Sequence, residues 1–240
     1  PGPVTRGSAS MVEPDQGAGG MCMQTPHPEG SAALDPAVSC WAGLIAAAGD
    51  SHRMGTPKAL LTDRNGLAFV VSLARAFTNA GLDPVFVTVP PGIAGDAIRE
   101  RLAGLPVQVV ENAAPHRGLS GSVETAIAGT PEERAGLVLC PVDVPFATAS
   151  LVRGMLDALD GSGDVHLAAV ASHEGRTGHP VAFRRSLFPE LLDPDLPEGP
   201  RTVLSNHADQ ILRFEWQDPA ILVNLNTPEA YQKICDEPPL

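Results

Sequence analysis

The sequence predicts an α/β protein with a mainly parallel sheet covered by helices on both faces, and three observations predict it. Short continuous apolar runs alternate with amphipathic stretches from residue 41 onward, as buried parallel strands and their crossover helices do. Gly or Pro punctuates nearly every junction between them. The composition is poor in aromatics, at 4%, and rich in Ala, Val, Leu and Gly, which suits helices packed closely on a sheet. With 240 residues, 43% of them hydrophobic, the chain can bury one sizeable core.

Residues 1–38 are dominated by Pro, Gly, Ser and scattered polar groups with no apolar period, and cannot bury enough surface to offset chain entropy. They are expected to be a disordered tail, leaving 39–240 as a single domain. The domain opens with a buried strand, Trp41 to Ala48, ended by Gly49 and a polar loop. A helix is expected over Ala68 to Ala80, a strand over Pro84 to Val89, a helix over Ile93 to Leu102 and a strand over Val107 to Val110. A serine cap near Ser120 or Ser122 is expected to start the next helix, which runs to about Ala128. Gly136 to Val142 reads as a strand, Ala147 to Leu159 as a helix and Val165 to Ala171 as a strand. A short strand follows at Val181 to Phe183, then helices near Leu187 to Leu192 and Arg201 to His207, a strand near Ile221 to Val223, and a terminal helix from Pro228.

The formal net charge of -12 excludes a surface built for nucleic acid or an anionic membrane, since either needs a basic field. No run approaches the roughly 18 apolar residues of a membrane span, and no signal peptide is legible, so the expected location is the cytoplasm. The four cysteines, Cys22, Cys40, Cys140 and Cys235, are far apart and lack metal-ligand spacing; they read as reduced thiols, with Cys140 in a strand.

Chemistry concentrates in LIAAAGDSHRMGTPKALL, residues 44–61, where a buried strand ends and a loop begins. Open α/β sheets bind ligands beyond the carboxyl ends of their strands. Gly49 and Gly55 permit close backbone approach, and Arg53 and Lys58 can contact phosphate oxygens. The spacing matches neither a Walker loop nor G-x-G-x-x-G, which weakens ATPase and dinucleotide oxidoreductase readings. It closely resembles the signature of the MobA-like nucleotidyltransferases through Ala47, Ala48, Gly49, Ser51, Arg53, Met54, Gly55, Pro57 and Lys58. Three later segments, NAAPHRGLSGSVETAI, CPVDVPF and NLNTPEAY, fit the same family in the same order. A fourth, TGHPVAF, resembles the branch of the molybdenum cofactor cytidylyltransferases.

The resemblance implies a Rossmann-like, GT-A type nucleotidyltransferase fold, a Mg2+ cofactor, and transfer of a nucleoside monophosphate from an NTP to a small phosphorylated acceptor. It implies that the backbone around Ala46, Ala47, Ala48 and Gly49 frames the base, with Ser51 and Gly55 in the same loop. Arg53 and Lys58 would hold the triphosphate, and Gly118, Ser120 and Ser122 would lie along ribose and base with Asn112 nearby. Asp143, at the end of an apolar strand, would supply a hard oxygen to magnesium, helped by the amide oxygens of Asn224 or Asn226, which stand where some relatives carry carboxylates. His179 would line the acceptor side.

Blander readings stand beside these: Arg53 and Lys58 as solvated charges, Asp143 as a helix cap, Asn224 and Asn226 as turn residues before the Pro228 helix, and His179 as a packed loop side chain. Ala48 before Gly49 resembles cytidylyltransferases, where guanine users often carry Gly-Gly, so CTP is the favoured donor. Molybdopterin is the favoured acceptor, with a molybdoenzyme as a possible recipient of the product. The competing functions are a sugar-phosphate or polyol-phosphate nucleotidyltransferase, and an inactive nucleotide-binding carrier for a molybdoenzyme. A glycosyltransferase is disfavoured by the single aspartate in PVDVP.

Overall fold

The computed structural model describes residues 40–49, 56–63, 65–112, 114–227 and 229–232, all within one compact unit. The expected tail, and with it Cys22, lies outside the described residues, as do Cys235, Ser51, Arg53 and Gly55.

Seven strands form one sheet in the order β3-β2-β1-β4-β6-β5-β7: β1 Trp41–Ala46, β2 Val85–Val89, β3 Gln108–Glu111, β4 Gly136–Pro141, β5 Ala168–His173, β6 Arg176–Arg184 and β7 Ile211–Glu215. The pairs β1·β2, β1·β4, β2·β3 and β5·β7 are parallel, while β6 runs antiparallel to both β4 and β5. The helices are α1 Phe69–Asn79, α2 Ile93–Leu102, α3 Leu119–Gly129, α4 Ala149–Gly161, α5 Phe188–Leu191 and α6 Pro200–Asn206.

Alternation along the strands divides the core into two layers. Trp41 and Ile45 of β1, with Val85, Val87 and Val89 of β2, pack with α1, α2 and α4, through side chains such as Phe77, Ile98 and Met155. Ala42, Leu44 and Phe86 face the other way, against α3, α5 and α6, through Val123, Phe188 and Val203. Burying both faces explains why these strands read as continuous apolar runs. Gly43 completes the fit, since a Cβ there would stand 2.7 Å from the Phe77 ring.

Four local expectations are corrected. Helix α3 is capped by no serine: it starts at Leu119 behind Gly118, whose φ of 57° is cheap only without a Cβ. The cap of α4 is Thr148, whose Oγ1 accepts from Leu151 N at 3.2 Å, so Asp143 does not cap it. The expected short strand at 181–183 is the inner third of a nine-residue strand, β6, reached by a turn in which Glu174 and Gly175 have φ of 48° and 77°. The apolar run at 221–223 is not a strand: Pro219–Leu222 is a 3-10 turn that begins behind Asp218, which accepts from Ala220 N at 2.8 Å. The seventh strand is β7, whose Arg213 and Glu215 are exposed while Leu212 and Phe214 are partly buried. Among the described residues no helix is long and apolar enough to cross a membrane.

Candidate active site

The order of the sheet reverses at β1, which has β2 on one side and β4 on the other. A crevice outside the carboxyl ends of such strands is the favoured ligand site of open α/β sheets. A cavity of about 290 Å³ opens there. Its walls come from the ends of β1 (Ala46, Ala47, Gly49) and β4 (Pro141, Val142, Asp143), and from the start of α3 (Gly118, Leu119, Ser122). Lys58 and Ala59, His179 of β6, and Asn224 complete it.

Backbone bonds carry the sheet into this wall. Ala47 N donates to Thr88 O at 2.9 Å and Val142 N to Ala46 O at 3.0 Å, so the residues after β1 and β4 remain in register. Asp143 follows in the turn closed by Val144 N to Pro141 O, and its own carbonyl accepts from Leu225 N at 2.8 Å. Leu225 is fully buried while Asn224 and Asn226 on either side are exposed, which pins both amides at the rim. Across the opening, the 3-10 turn Lys58–Leu60 is anchored by buried Ala59. Lys58 Nζ lies 3.5 Å from Asp143 Oδ2 and also donates to Asn226 Oδ1. Segments 85 and 168 residues apart in sequence thus meet at one ammonium group.

Among the described residues of the wall, Lys58 is the one cation. His179 is half-buried, and its Nδ1 is sealed from solvent with no hydrogen-bond partner among the described residues. Burial pushes its pKa below the ordinary imidazole value, against a weaker opposite pull from the Asp143 carboxylate, so the ring is neutral near pH 7. An opening with one ammonium, one facing carboxylate and two rim amides can bind a polyanion together with an oxygen-seeking cation.

The model for the family described as MobA-like NTP transferase domain matches residues 43–211. The chain belongs to that family. It is 30% identical over 195 residues to the "Probable molybdenum cofactor guanylyltransferase" of Mycobacterium ulcerans strain Agy99, covering 78% of this chain and 89% of that one. The crystal structure of Rv0371c from Mycobacterium tuberculosis H37Rv superposes with a TM-score of 0.69 at 25% identity, over 82% of this chain and 97% of that one. A manganese complex of the same protein matches in fold, with a TM-score of 0.66 at 23% identity over 82% and 98% of the two chains.

In this MobA-like nucleotidyltransferase the residues expected at the site divide into three groups. Ala47, Gly49, Lys58, Gly118, Ser122, Asp143, His179 and Asn224 gather on the cavity wall, and Asn226 reaches it through Lys58. Ala48, Ser120 and Asn112 are not on that wall: Ala48 and Ser120 are half-buried, and Asn112, 2% exposed, stands behind Ser122. Ser51, Arg53 and Gly55 lie outside the described residues. Sequence reasoning passed over Thr88, whose hydroxyl meets Ser122; the signal was one polar residue in the buried strand VFVTV.

Proposed function

We propose that the chain transfers a nucleoside monophosphate from an NTP, with CTP the favoured donor, to a phosphorylated acceptor, with molybdopterin the favoured acceptor, and releases pyrophosphate. The observation that carries this reading is Lys58 Nζ 3.5 Å from the Asp143 carboxylate on one cavity at the switch point of the sheet. The attacking nucleophile is a phosphate oxygen of the acceptor, which is already anionic, so the protein supplies position and charge and needs no general base. Lys58, with Arg53 from the preceding segment of sequence, neutralises triphosphate oxygens and the charge that develops as the α-phosphorus is attacked in line.

The hard oxygens of Asp143, Asn224 and Asn226 fit a divalent ion of the Mg2+ kind, and a neighbour in fold was solved in complex with manganese. Such an ion, when bound, would screen the phosphate charges and polarise the reacting group. Asp143 would be its carboxylate ligand, and Lys58, which faces that carboxylate here, would then turn to the phosphates. Neutral His179 adds no charge to the wall and leaves the acceptor side to hydrogen bonding.

Ala48 before Gly49 supports CTP, while the name of the mycobacterial relatives favours GTP as a second reading. Pyrophosphate release is to be measured with CTP, GTP, ATP and UTP in turn, each with molybdopterin and Mg2+. Release with CTP is the expected result, and release with GTP alone selects the second reading. No release with any of the four, or release only with a sugar phosphate as acceptor, overturns the assignment.

A further inference from the structure

Thr88 is fully buried in β2, on the face that carries α3. Its Oγ1 lies 2.9 Å from Ser122 Oγ, which is the acceptor within its reach among the described residues. Thr88 has no opening to reach, whereas Ser122, though only 2% exposed, borders the cavity where its own proton can meet a ligand, so Thr88 is the donor of this bond. Asn112, 2% exposed in the loop after β3, donates from Nδ2 to the same Ser122 Oγ at 3.4 Å. The Asn112 amide is held that way round because its Oδ1 accepts from Ala114 N at 3.0 Å. Gly121 lets the first turn of α3 sit this close, since a Cβ there would stand 2.6 Å from Ala114 O and 2.9 Å from Asn112 Oδ1.

A serine hydroxyl offers two lone pairs and one proton. Thr88 takes one lone pair at 2.9 Å and Asn112 approaches the other at 3.4 Å, both from the interior side, and among the described residues the proton that Ser122 keeps meets no acceptor. Ser122 also lines the cavity.

We infer that Thr88 and Asn112 are positioning residues that turn Ser122 into a donor-only hydroxyl, held ready for an acceptor atom on the base or sugar of the bound nucleotide. The inference rests on the nucleotidyltransferase reading of this cavity. An unconstrained serine could donate or accept and would match either kind of ligand atom; this one rewards a lone pair and repels an N–H. Fixing the hydroxyl before the ligand arrives removes an ordering cost from binding.

The test is a cycle of variants with the donor that the wild-type protein prefers, reading nucleotide affinity by calorimetry and kcat by pyrophosphate release. Thr88→Val keeps the shape and removes the donor; affinity is expected to fall roughly three- to tenfold with kcat nearly unchanged. Thr88→Ser is expected to restore it. In a Ser122→Ala background Thr88→Val should cost nothing further, because its route to the ligand is gone. Unchanged affinity in Thr88→Val, or an equal loss with and without Ser122, overturns the inference. Should Thr88→Val fail to fold, Asn112→Ala is read by the same criteria. A wild-type protein that binds and turns over no NTP sinks the functional reading instead, and that arm is scored on its own.

Discussion

With Lys58 and Asp143 side chains 15% and 22% exposed and facing each other across a cavity, removing either leaves a partly desolvated charge where substrate should bind. Asp143→Ala is expected to lower turnover by roughly a hundred- to a thousandfold, the scale of losing one electrostatic contact to a transition state. The fold should survive, because it is the Asp143 backbone carbonyl that anchors Leu225. Pyrophosphate release paired with a thermal melt checks both halves, and full turnover in excess Mg2+ would remove Asp143 from the site. Three residues earlier, the buried Cys140 thiol has its pKa pushed far up, by desolvation first and by the Asp143 carboxylate second. The folded thiol therefore keeps its proton where the unfolded one, ionising at about pH 8.5, loses it. The unfolded state then binds fewer protons, so stability falls as pH rises above that point, by up to about 1.4 kcal/mol per pH unit from this group. Denaturant melts at pH 8 and pH 10 should show a smaller alkaline loss in Cys140→Ala than in the wild type.

Among the elements, α4 offers the cleanest test of a local device. Thr148→Ala removes a side-chain cap and should cost about 1 kcal/mol, lowering Tm by roughly 2–4 °C with kcat untouched. Helices and strands through α4 were legible to within a few residues, because each apolar run is bounded by Gly or Pro and the periods are long enough to separate 3.6 from 2. Apart from the two helix caps, the errors fall after β5, where runs shorten. Ile221 is as buried as a strand residue, but its burial comes from packing against Leu151 and Ala171, which three residues of sequence cannot distinguish from a strand. The outer half of β6, Arg176 to His179, is polar because it runs beyond the end of β4, whose pairing with it stops at Val181. That overhang carries His179 to the cavity. At the site, Lys58 and Asp143 could be named from their motifs, whereas Thr88 could not: its role depends on which face of β2 meets α3, a fact of topology.

For the molecule as a whole, binding in a crevice shared by the ends of β1 and β4, the start of α3 and the 224–226 segment should stabilise all of them together. A preferred NTP with Mg2+ at about 100 times its Kd adds about 2.7 kcal/mol, which is roughly 5–10 °C in Tm for a domain of this size. Thermal shift against nucleotide concentration reads it, and a shift that fails to track affinity would place the nucleotide elsewhere. The contact between Lys58 and Asn226 spans 168 residues of chain. Closing so long a loop is slow relative to pairing β1 with β2, so a refolding chain should regain its circular dichroism signal before it regains its hold on nucleotide. Stopped-flow mixing with a fluorescent NTP would resolve the two phases. During that lag the protein is a nearly finished scaffold with an open mouth, and a cell that supplies the nucleotide early would be trapping the last step of its maturation.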